Sequence, residues 1–166
     1  MTKLNVTFKS MKDDSLNLST DIETDSDILY TNNGAAFYKL YDEMKQFENI
    51  LITKCKVTDK KLILFYLTCG EMWLCEFENC NISYSRFIYA SIKHSQFINC
   101  DMEEADFRLA HIIGTTFDNC KLDDAKFTHA HFTEVKFKNC DLRNIIIDEK
   151  LYNELKRNGC FENCTE

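Results

Sequence analysis

The sequence lacks proline altogether and has only four glycines among its 166 residues. Flexible linkers are built from glycine, serine or proline, so this composition excludes several domains joined by long linkers. A chain of this length is expected to form one domain with a sizeable core. No stretch of the sequence is apolar over the roughly twenty residues that a membrane-spanning helix needs.

Positive charge is also scarce. Twenty Lys and Arg stand against 27 Asp and Glu, which gives a formal net charge of −7 at pH 7. General affinity for nucleic acid or for an anionic membrane surface needs a basic patch, so we expect neither as a direct partner. The N-terminal sequence has no apolar run typical of a secretory signal peptide. These absences predict a cytoplasmic protein.

The motifs of common catalytic sites are missing as well. There is no glycine-rich phosphate loop, no His-Glu-x-x-His and no Ser-His-Asp arrangement. His111 and His131 occupy equivalent places, with His94 and His129 nearby, but imidazoles without a placed carboxylate form a poor ligand set. A chance cluster is favoured over a metal site. We therefore predict no enzyme activity, no catalytic residue, no metal and no cofactor, and stoichiometric zinc in the purified protein would overturn this prediction.

What the sequence does contain is a five-residue repeat. Fifteen units follow one another from Cys75 to Glu149 without an insertion. The third place is always large and apolar, the first is small or β-branched, and the other places are mostly polar. The predicted structural core includes the third-place residues Phe77, Phe87, Phe97, Phe107, Phe117, Phe127 and Phe137 and the first-place residues Cys80, Cys100, Cys120 and Cys140.

A period of five fits neither a helix nor a flat strand, but it fits a short extended piece followed by a corner. Phe-x-Asn-Cys recurs every twenty residues, so four units bring the chain back above itself. The pattern therefore predicts an all-β solenoid with four sides, whose coils stack through parallel strand hydrogen bonds. The asparagines and Gly114 in the fifth place suit corners that need unusual backbone angles.

This repeat resembles that of the pentapeptide-repeat family, and ADFRL (105–109) and CDLRN (140–144) fit the family unit closely. The resemblance implies a right-handed quadrilateral β-helix. It also implies a binding role, since some members mimic DNA, bind gyrase or related topoisomerases and confer quinolone resistance. The C-terminal end is expected to be closed by a simple cap. Members of the family often pair through this end, so a homodimer is the alternative that the resemblance implies.

The chain divides into five predicted parts. Residues 1–33 form an acidic N-terminal arm, either exposed and flexible or acting as a lid or partner-binding tail. Residues 34–49 form an amphipathic capping helix, because apolar residues recur there at helical spacing. Residues 50–74 are degenerate coils, with a more ordinary strand pair suggested at 61–67, and residues 75–149 are regular coils. Residues 150–166 form a C-terminal cap with a short helix at 151–157.

The four first-place cysteines at a twenty-residue period are predicted to stack in one line. Their Cα atoms would lie within disulfide range, but no export signal accompanies them, so reduced, buried thiols are expected. A straight line of sulfurs cannot surround a metal tetrahedrally. Cys160 and Cys164 form a separate pair that is two ligands short of a zinc site.

Two outward surfaces are candidate partner-binding sites. The predicted acidic face consists of Asp101, Glu103, Glu104, Asp106, Asp123, Asp124 and Asp141. Its carboxylates repeat on successive coils and can imitate the phosphates of a duplex toward a topoisomerase or another DNA-binding enzyme. The predicted apolar corner consists of Tyr84, Ile88, Tyr89, Leu109 and Ile113. It favours the alternative of a protein-interaction scaffold of the toxin-immunity or effector type, or else it is covered by the N-terminal arm.

Overall fold

The computed structural model describes residues 2–9, 17–24, 51–53, 56–59 and 61–166, the first three of these ranges by their backbone. β1 (Thr2–Lys9) and β2 (Asn17–Thr24) pair antiparallel within the range expected to form the acidic arm. The capping helix predicted over residues 34–49 lies outside the described residues.

The solenoid comes next, and its strands are short. In chain order they are β3 (Leu51–Thr53), β4 (Lys56–Thr58), β5 (Glu71–Trp73), β6 (Glu76–Glu78), β7 (Ser91–Lys93), β8 (Gln96–Ile98), β9 (His111–Ile113), β10 (Thr116–Asp118), β11 (His131–Thr133), β12 (Lys136–Lys138) and β13 (Phe161–Glu162). They form two parallel sheets on different sides of the coil. Face A carries β4, β6, β8, β10, β12 and β13, and face D carries β3, β5, β7, β9 and β11.

The two remaining sides of the coil carry single parallel bridges in place of longer strands. Face B is made of the units that begin at Cys80 and every twenty residues from it, and Asn81 bridges Asp101 there. Face C is made of the units that begin at Ser85, and Arg86 bridges Asp106 there. Every partner on these sides is twenty residues away until the C-terminal end, so the predicted parallel solenoid of about five turns is confirmed.

The corners explain the fifth place of the repeat. Every fifth-place residue from Asp59 to Asn139 has a positive φ, between 49° at His94 and 62° at Leu64. Glycine and asparagine adopt this left-handed region at low cost, whereas bulky residues such as Leu64 and Tyr84 rarely do. The stacked coils therefore impose the corner on whatever residue occupies the place. For the same reason residues 61–67 do not form the ordinary strand pair that was expected, because a corner at Leu64 divides them between faces B and C.

Two columns of phenylalanine rings fill the shaft. On face A, the ring centroid of Phe97 lies 5.3 Å from that of Phe77 and 5.2 Å from that of Phe117, and the rings are stacked. On face C, Phe87 and Phe107 stack at 4.6 Å. Rings of different columns meet edge to face, as Phe107 and Phe117 do at 5.9 Å. All seven predicted core phenylalanines and all four predicted core cysteines are buried, as are the third-place residues of the degenerate coils that have described side chains.

The C-terminal end differs from the prediction. The expected helix is present as α1 (Glu149–Arg157), which packs Leu155 against the core. Residues 160–166 do not belong to a separate cap, however, because the chain rejoins the coil after the helix. Phe161 pairs with Phe137 on face A, and Thr165 bridges Asp141 on face B. The helix thus replaces the next unit of face D. Among the described residues, no helix is long and apolar enough to cross a membrane.

Candidate protein-binding surface

The acidic face lies on face B and runs along its coils. Glu103 and Asp123 occupy the fourth place of successive units, and Glu104 and Asp124 occupy the fifth. The backbone N–H of Glu104 donates to the carbonyl of Asp123 at 2.9 Å, so the two coils are in register. Neighbouring parallel rungs lie about 4.8 Å apart, which sets the spacing of each row of carboxylates.

Some of these carboxylates are already paired within the chain. Lys121 forms an ion pair with Glu103. Arg143 donates to the carboxylate of Asp141 from Nε at 3.0 Å and from Nη2 at 2.5 Å. This hydrogen bonding lowers the pKa of Asp141 to about 2. Both pairs are exposed, so each contributes little to stability. Their effect on the acidic face is to neutralise part of its charge.

Asp106 is a correction to the predicted acidic face. It is only 7% exposed, and Arg108 binds its carboxylate through Nε at 2.9 Å and Nη2 at 2.7 Å. Burial raises the pKa of Asp106, but the hydrogen bonds and charge of Arg108 outweigh burial and leave the pKa below its usual value. The sequence placed Asp106 in an outward second place, but Arg108 folds over it. Asp106 is therefore a structural ion-pair residue rather than a surface carboxylate.

The remaining carboxylates keep their charge available. Within the described part of the chain, no ion pair engages Asp101, Glu104, Asp123 or Asp124. Asp101 accepts from the Asn81 amide at 3.2 Å, and Asp123 accepts from the Asn144 amide at 3.1 Å. Neutral amides fix the orientation of a carboxylate without removing its charge. The acidic face thus has four carboxylates on two successive coils that can meet a basic partner.

The apolar corner is less exposed than its places in the repeat predicted. Tyr84 and Tyr89 are 45% and 57% exposed, whereas Ile88, Leu109 and Ile113 are half-buried. Sequence reasoning missed Ile63 and Leu64, which are 41% and 44% exposed on face B. Their signal was their place in the frame, which runs through the degenerate coils unchanged.

One corner joins the apolar and acidic residues. The fifth places of face B are Leu64, Tyr84, Glu104, Asp124 and Asn144 in coil order. The N–H of Leu64 donates to the carbonyl of Ser83 at 3.1 Å, which stacks the first two of these coils directly. The edge between faces B and C therefore changes from apolar to acidic along the column. Of the predicted apolar corner, Tyr84 lies at this edge, whereas Tyr89 and Leu109 lie at the next corner, between faces C and D.

The histidines and the cysteine line provide little evidence for a binding or catalytic site. His111 and His131 stack with ring centroids 4.8 Å apart on face D, and the described residues contain no group of three side chains suited to a metal ion. The cysteine line is buried, and each thiol donates to main-chain carbonyls, as Cys100 does to Phe77 at 3.4 Å. Hydrogen bonding with Cys120, together with burial, raises the pKa of Cys100 to about 12. The Cys100 thiol is therefore a poor nucleophile, because the thiolate is the reactive form.

Cys164 extends the cysteine line, which the five-residue frame did not predict. Its thiol donates to the carbonyl of Phe137 at 3.3 Å, in the way that Cys140 donates to Phe117 at 3.6 Å. The signal was in the sequence, since Phe-Glu-Asn-Cys at 161–164 repeats Phe-Glu-Asn-Cys at 77–80. The pair Cys160 and Cys164 is thus part of the repeat, with Cys160 in a second place and Cys164 in a first place.

A four-sided parallel β-solenoid built from five-residue units is the class of protein that these observations define. Residues 71–147 match the family described as "Pentapeptide repeat region", so this part of the chain is a pentapeptide-repeat region, as the resemblance predicted. No curated protein matches the sequence.

Solved structures of pentapeptide-repeat proteins share the fold. A pentapeptide repeat protein from the thylakoid lumen of Arabidopsis thaliana superposes with a TM-score of 0.60 at 16% identity, over 63% of this chain and 73% of that one. HetL, a pentapeptide repeat protein involved in heterocyst differentiation regulation from the cyanobacterium Nostoc sp. strain PCC 7120, gives 0.56 at 17% identity, over 64% of this chain and 45% of HetL. QnrB1, a plasmid-mediated fluoroquinolone resistance protein, also matches, at 15% identity over 66% of this chain and 89% of QnrB1, but with a TM-score of 0.21, which does not show a shared fold.

Proposed function

We propose that this protein is a non-enzymatic binding protein that presents its acidic face to a basic surface on another protein. The observation that carries the proposal is the pair of carboxylate rows, Glu103 with Asp123 and Glu104 with Asp124, held on successive coils of face B. Charges fixed on a hydrogen-bonded column lose little conformational freedom on binding, so they can match a partner's charges at low entropic cost.

The partner class that fits best is a DNA-binding enzyme, such as a topoisomerase, with a basic groove for duplex DNA. A duplex offers that groove regular rows of negative charge, and the acidic face offers carboxylates at strand spacing. The internal pairing of Glu103 with Lys121 and of Asp141 with Arg143 weakens the field. The proposal therefore relies mainly on the four carboxylates without an ion pair, Asp101, Glu104, Asp123 and Asp124.

Competition with DNA tests this partner class. A purified type II topoisomerase is bound to a fluorescent duplex, and the protein is added at low and at moderate salt. A neutralised variant carries E103Q, E104Q, D123N and D124N, which keep size and hydrogen-bonding groups. A matched variant loses as many carboxylates elsewhere, through E71Q, E78Q, D118N and E149Q.

We expect the natural chain and the matched variant to displace the duplex and the neutralised variant to lose at least tenfold in affinity, with the difference shrinking as salt rises. Failure of the natural chain to displace DNA, or equal displacement by the neutralised variant, would reject DNA mimicry toward this class of enzyme.

The second candidate function is a protein-interaction scaffold that binds through the apolar corner. The observation in its favour is the exposure of Tyr84 and Tyr89, continued by Leu64 on the preceding coil. Aromatic side chains are common anchors of protein interfaces. For this candidate, Tyr84→Ser with Tyr89→Ser should abolish partner binding, and binding should be insensitive to salt. A homodimer through the C-terminal end stays a proposal, which the molar mass in solution tests.

A further inference from the structure

Within the described residues, face D has no strand beyond β11, whereas faces A and B each gain a further rung. Face A gains a further rung from β13, and face B gains one from Thr165. On face D the chain supplies α1 in place of a strand, so β11 is the last strand of its sheet among the described residues. A cleft of about 160 Å³ remains between α1 and the end of this sheet.

Four large apolar residues and four polar or charged ones, together with Cys160, line this α1–β11 cleft. Phe132 and Val135 line it from the coil, and Leu151 and Leu155 line it from successive turns of the helix. A buried cavity of about 150 Å³ with similar side chains is large enough to hold benzene. The cleft therefore has room for one aromatic ring or one branched aliphatic side chain, and it is too small for a larger ligand.

The edge of β11 offers main-chain donors beside the cleft. In the coils below, the fifth-place N–H donates to the fourth-place carbonyl of the next coil, from His94 to Ile113 and from Gly114 to Thr133, each at 2.8 Å. Glu134 is the corresponding donor on the last coil. Within the described residues no further strand of this sheet lies beyond it, so an extended peptide can supply the acceptor.

The rim of the cleft is acidic. Glu134 and Glu154 both line it and are exposed. Lys136 also lines it, but its ammonium donates to the carbonyl of Gly159 at 3.0 Å and pairs with Glu162 at 3.1 Å. The charge left for a partner is therefore negative, which favours a ligand with Lys or Arg beside its apolar side chain.

We propose that the α1–β11 cleft binds an extended peptide segment of another protein, with one large apolar side chain in the cleft and basic residues on either side. The segment lies along the edge of β11 beside α1, where one of its main-chain carbonyls accepts from the N–H of Glu134. This site is separate from the acidic face and does not depend on the function proposed for that face.

A synthetic peptide, Ac-KAKFTK-NH2, tests the proposal by titration into the full ¹⁵N-labelled chain. We expect amide shifts to concentrate at Phe132, Glu134, Leu151 and Leu155. Replacing the peptide's Phe with Ala should weaken binding at least tenfold, because the apolar ring then no longer fills the cleft. Replacing its three Lys with Glu should weaken binding at least fivefold.

Variants of the chain provide matched controls. Glu154→Trp fills the cleft from an exposed helix position and should abolish the shifts while the remaining spectrum stays folded. Glu134→Gln should weaken binding, whereas Asp59→Asn, at a corner of nearly equal φ (54° and 57°), should leave it unchanged. Equal binding of the Ala peptide, or shifts centred elsewhere, would overturn the proposal. So would self-association of the free chain that Glu154→Trp abolishes, since the occupant would then be a second copy.

Discussion

At the scale of single residues, the corners are where sequence and backbone are in conflict. The five-residue frame requires a left-handed fifth residue, yet between Asp59 and Asn139 the chain places Leu, Tyr, His or Glu there nine times and Asn four times. Each such residue costs on the order of 1 kcal/mol relative to glycine, and the stacked coils must compensate. The fifth place is therefore where substitutions should have their clearest local effect.

Gly114 gives the sharpest case. A Cβ built at this residue lies 2.5 Å from Nδ1 of His94, and its φ is +57°. We expect Gly114→Ala to lower the free energy of unfolding by about 2 kcal/mol, roughly half from the backbone and half from displacing the His94 ring. In a His94→Ala background the loss should fall to about 1 kcal/mol, as measured by urea unfolding. An equal loss in both backgrounds would show that the His94 ring does not restrict this corner.

The cysteine line predicts how stability changes with pH. Cys100 has a pKa raised from 9.0 to about 12 in the folded chain. Above pH 9 the unfolded chain loses this proton while the folded chain keeps it, so the unfolded state is favoured as pH rises. The stabilisation is complete below pH 9 and is lost progressively toward pH 12.

We expect the loss of this proton from the unfolded chain to lower the free energy of unfolding by about 1 kcal/mol as the pH rises from 8 to 10. The free energy of unfolding of the Cys100→Ala variant should decrease more gently over the same pH range, because alanine does not titrate. Alanine already fills the first place of many units, so it suits this position. Urea unfolding of both chains at each pH measures the difference. Parallel curves for the two chains would contradict the raised pKa.

The residue types of the repeat were enough to predict burial, but they could not predict pairing on the surface. Third-place residues point into the shaft whatever surrounds them, so Phe107 and Phe117 were assigned correctly. Whether a second-place aspartate is free depends on where a nearby long side chain folds. Arg108 covers Asp106, and the five-residue sequence repeat does not specify this rotamer of Arg108.

At the scale of elements, the helix near the C-terminus was predictable, whereas the return of the chain to the coil after it was not. The spacing of Leu151 and Leu155 gave α1 correctly. The helix advances less per residue than a strand, so the unit after it pairs 24 residues back, Phe161 with Phe137, where every earlier unit pairs 20 back. This offset concealed the last unit from a search at a fixed period of five, although the motif itself is intact.

This last unit should contribute measurably to stability. Phe161 is half-buried and meets Phe137 edge to face at 5.9 Å. We expect Phe161→Ala to lower the free energy of unfolding by about 2 kcal/mol, less than for a fully buried phenylalanine. Its neighbour Glu162, which forms exposed ion pairs with Lys136 and Lys138, serves as the control. Glu162→Ala should cost less than about 0.5 kcal/mol. Similar losses for the two variants would argue against the packing of β13 on the column.

At the scale of the whole molecule, the solenoid separates structure from function more clearly than a compact fold does. Inward places determine the column, so the outward places of face B are free to vary without changing the backbone. That freedom is why the fold could be predicted from the sequence and the partner could not. It also makes the acidic face testable, because its carboxylates can be replaced with little risk to folding.

Affinity capture from host lysate tests the central claim, that face B is the binding surface, most directly. The natural chain, the neutralised variant and the matched variant are each immobilised, and captured proteins are quantified at low and at high salt. We predict a partner that the natural chain and the matched variant retain at low salt, that high salt releases, and that the neutralised variant fails to retain. A partner held equally by all three chains at both salt concentrations would contradict the claim and transfer the binding function to another surface.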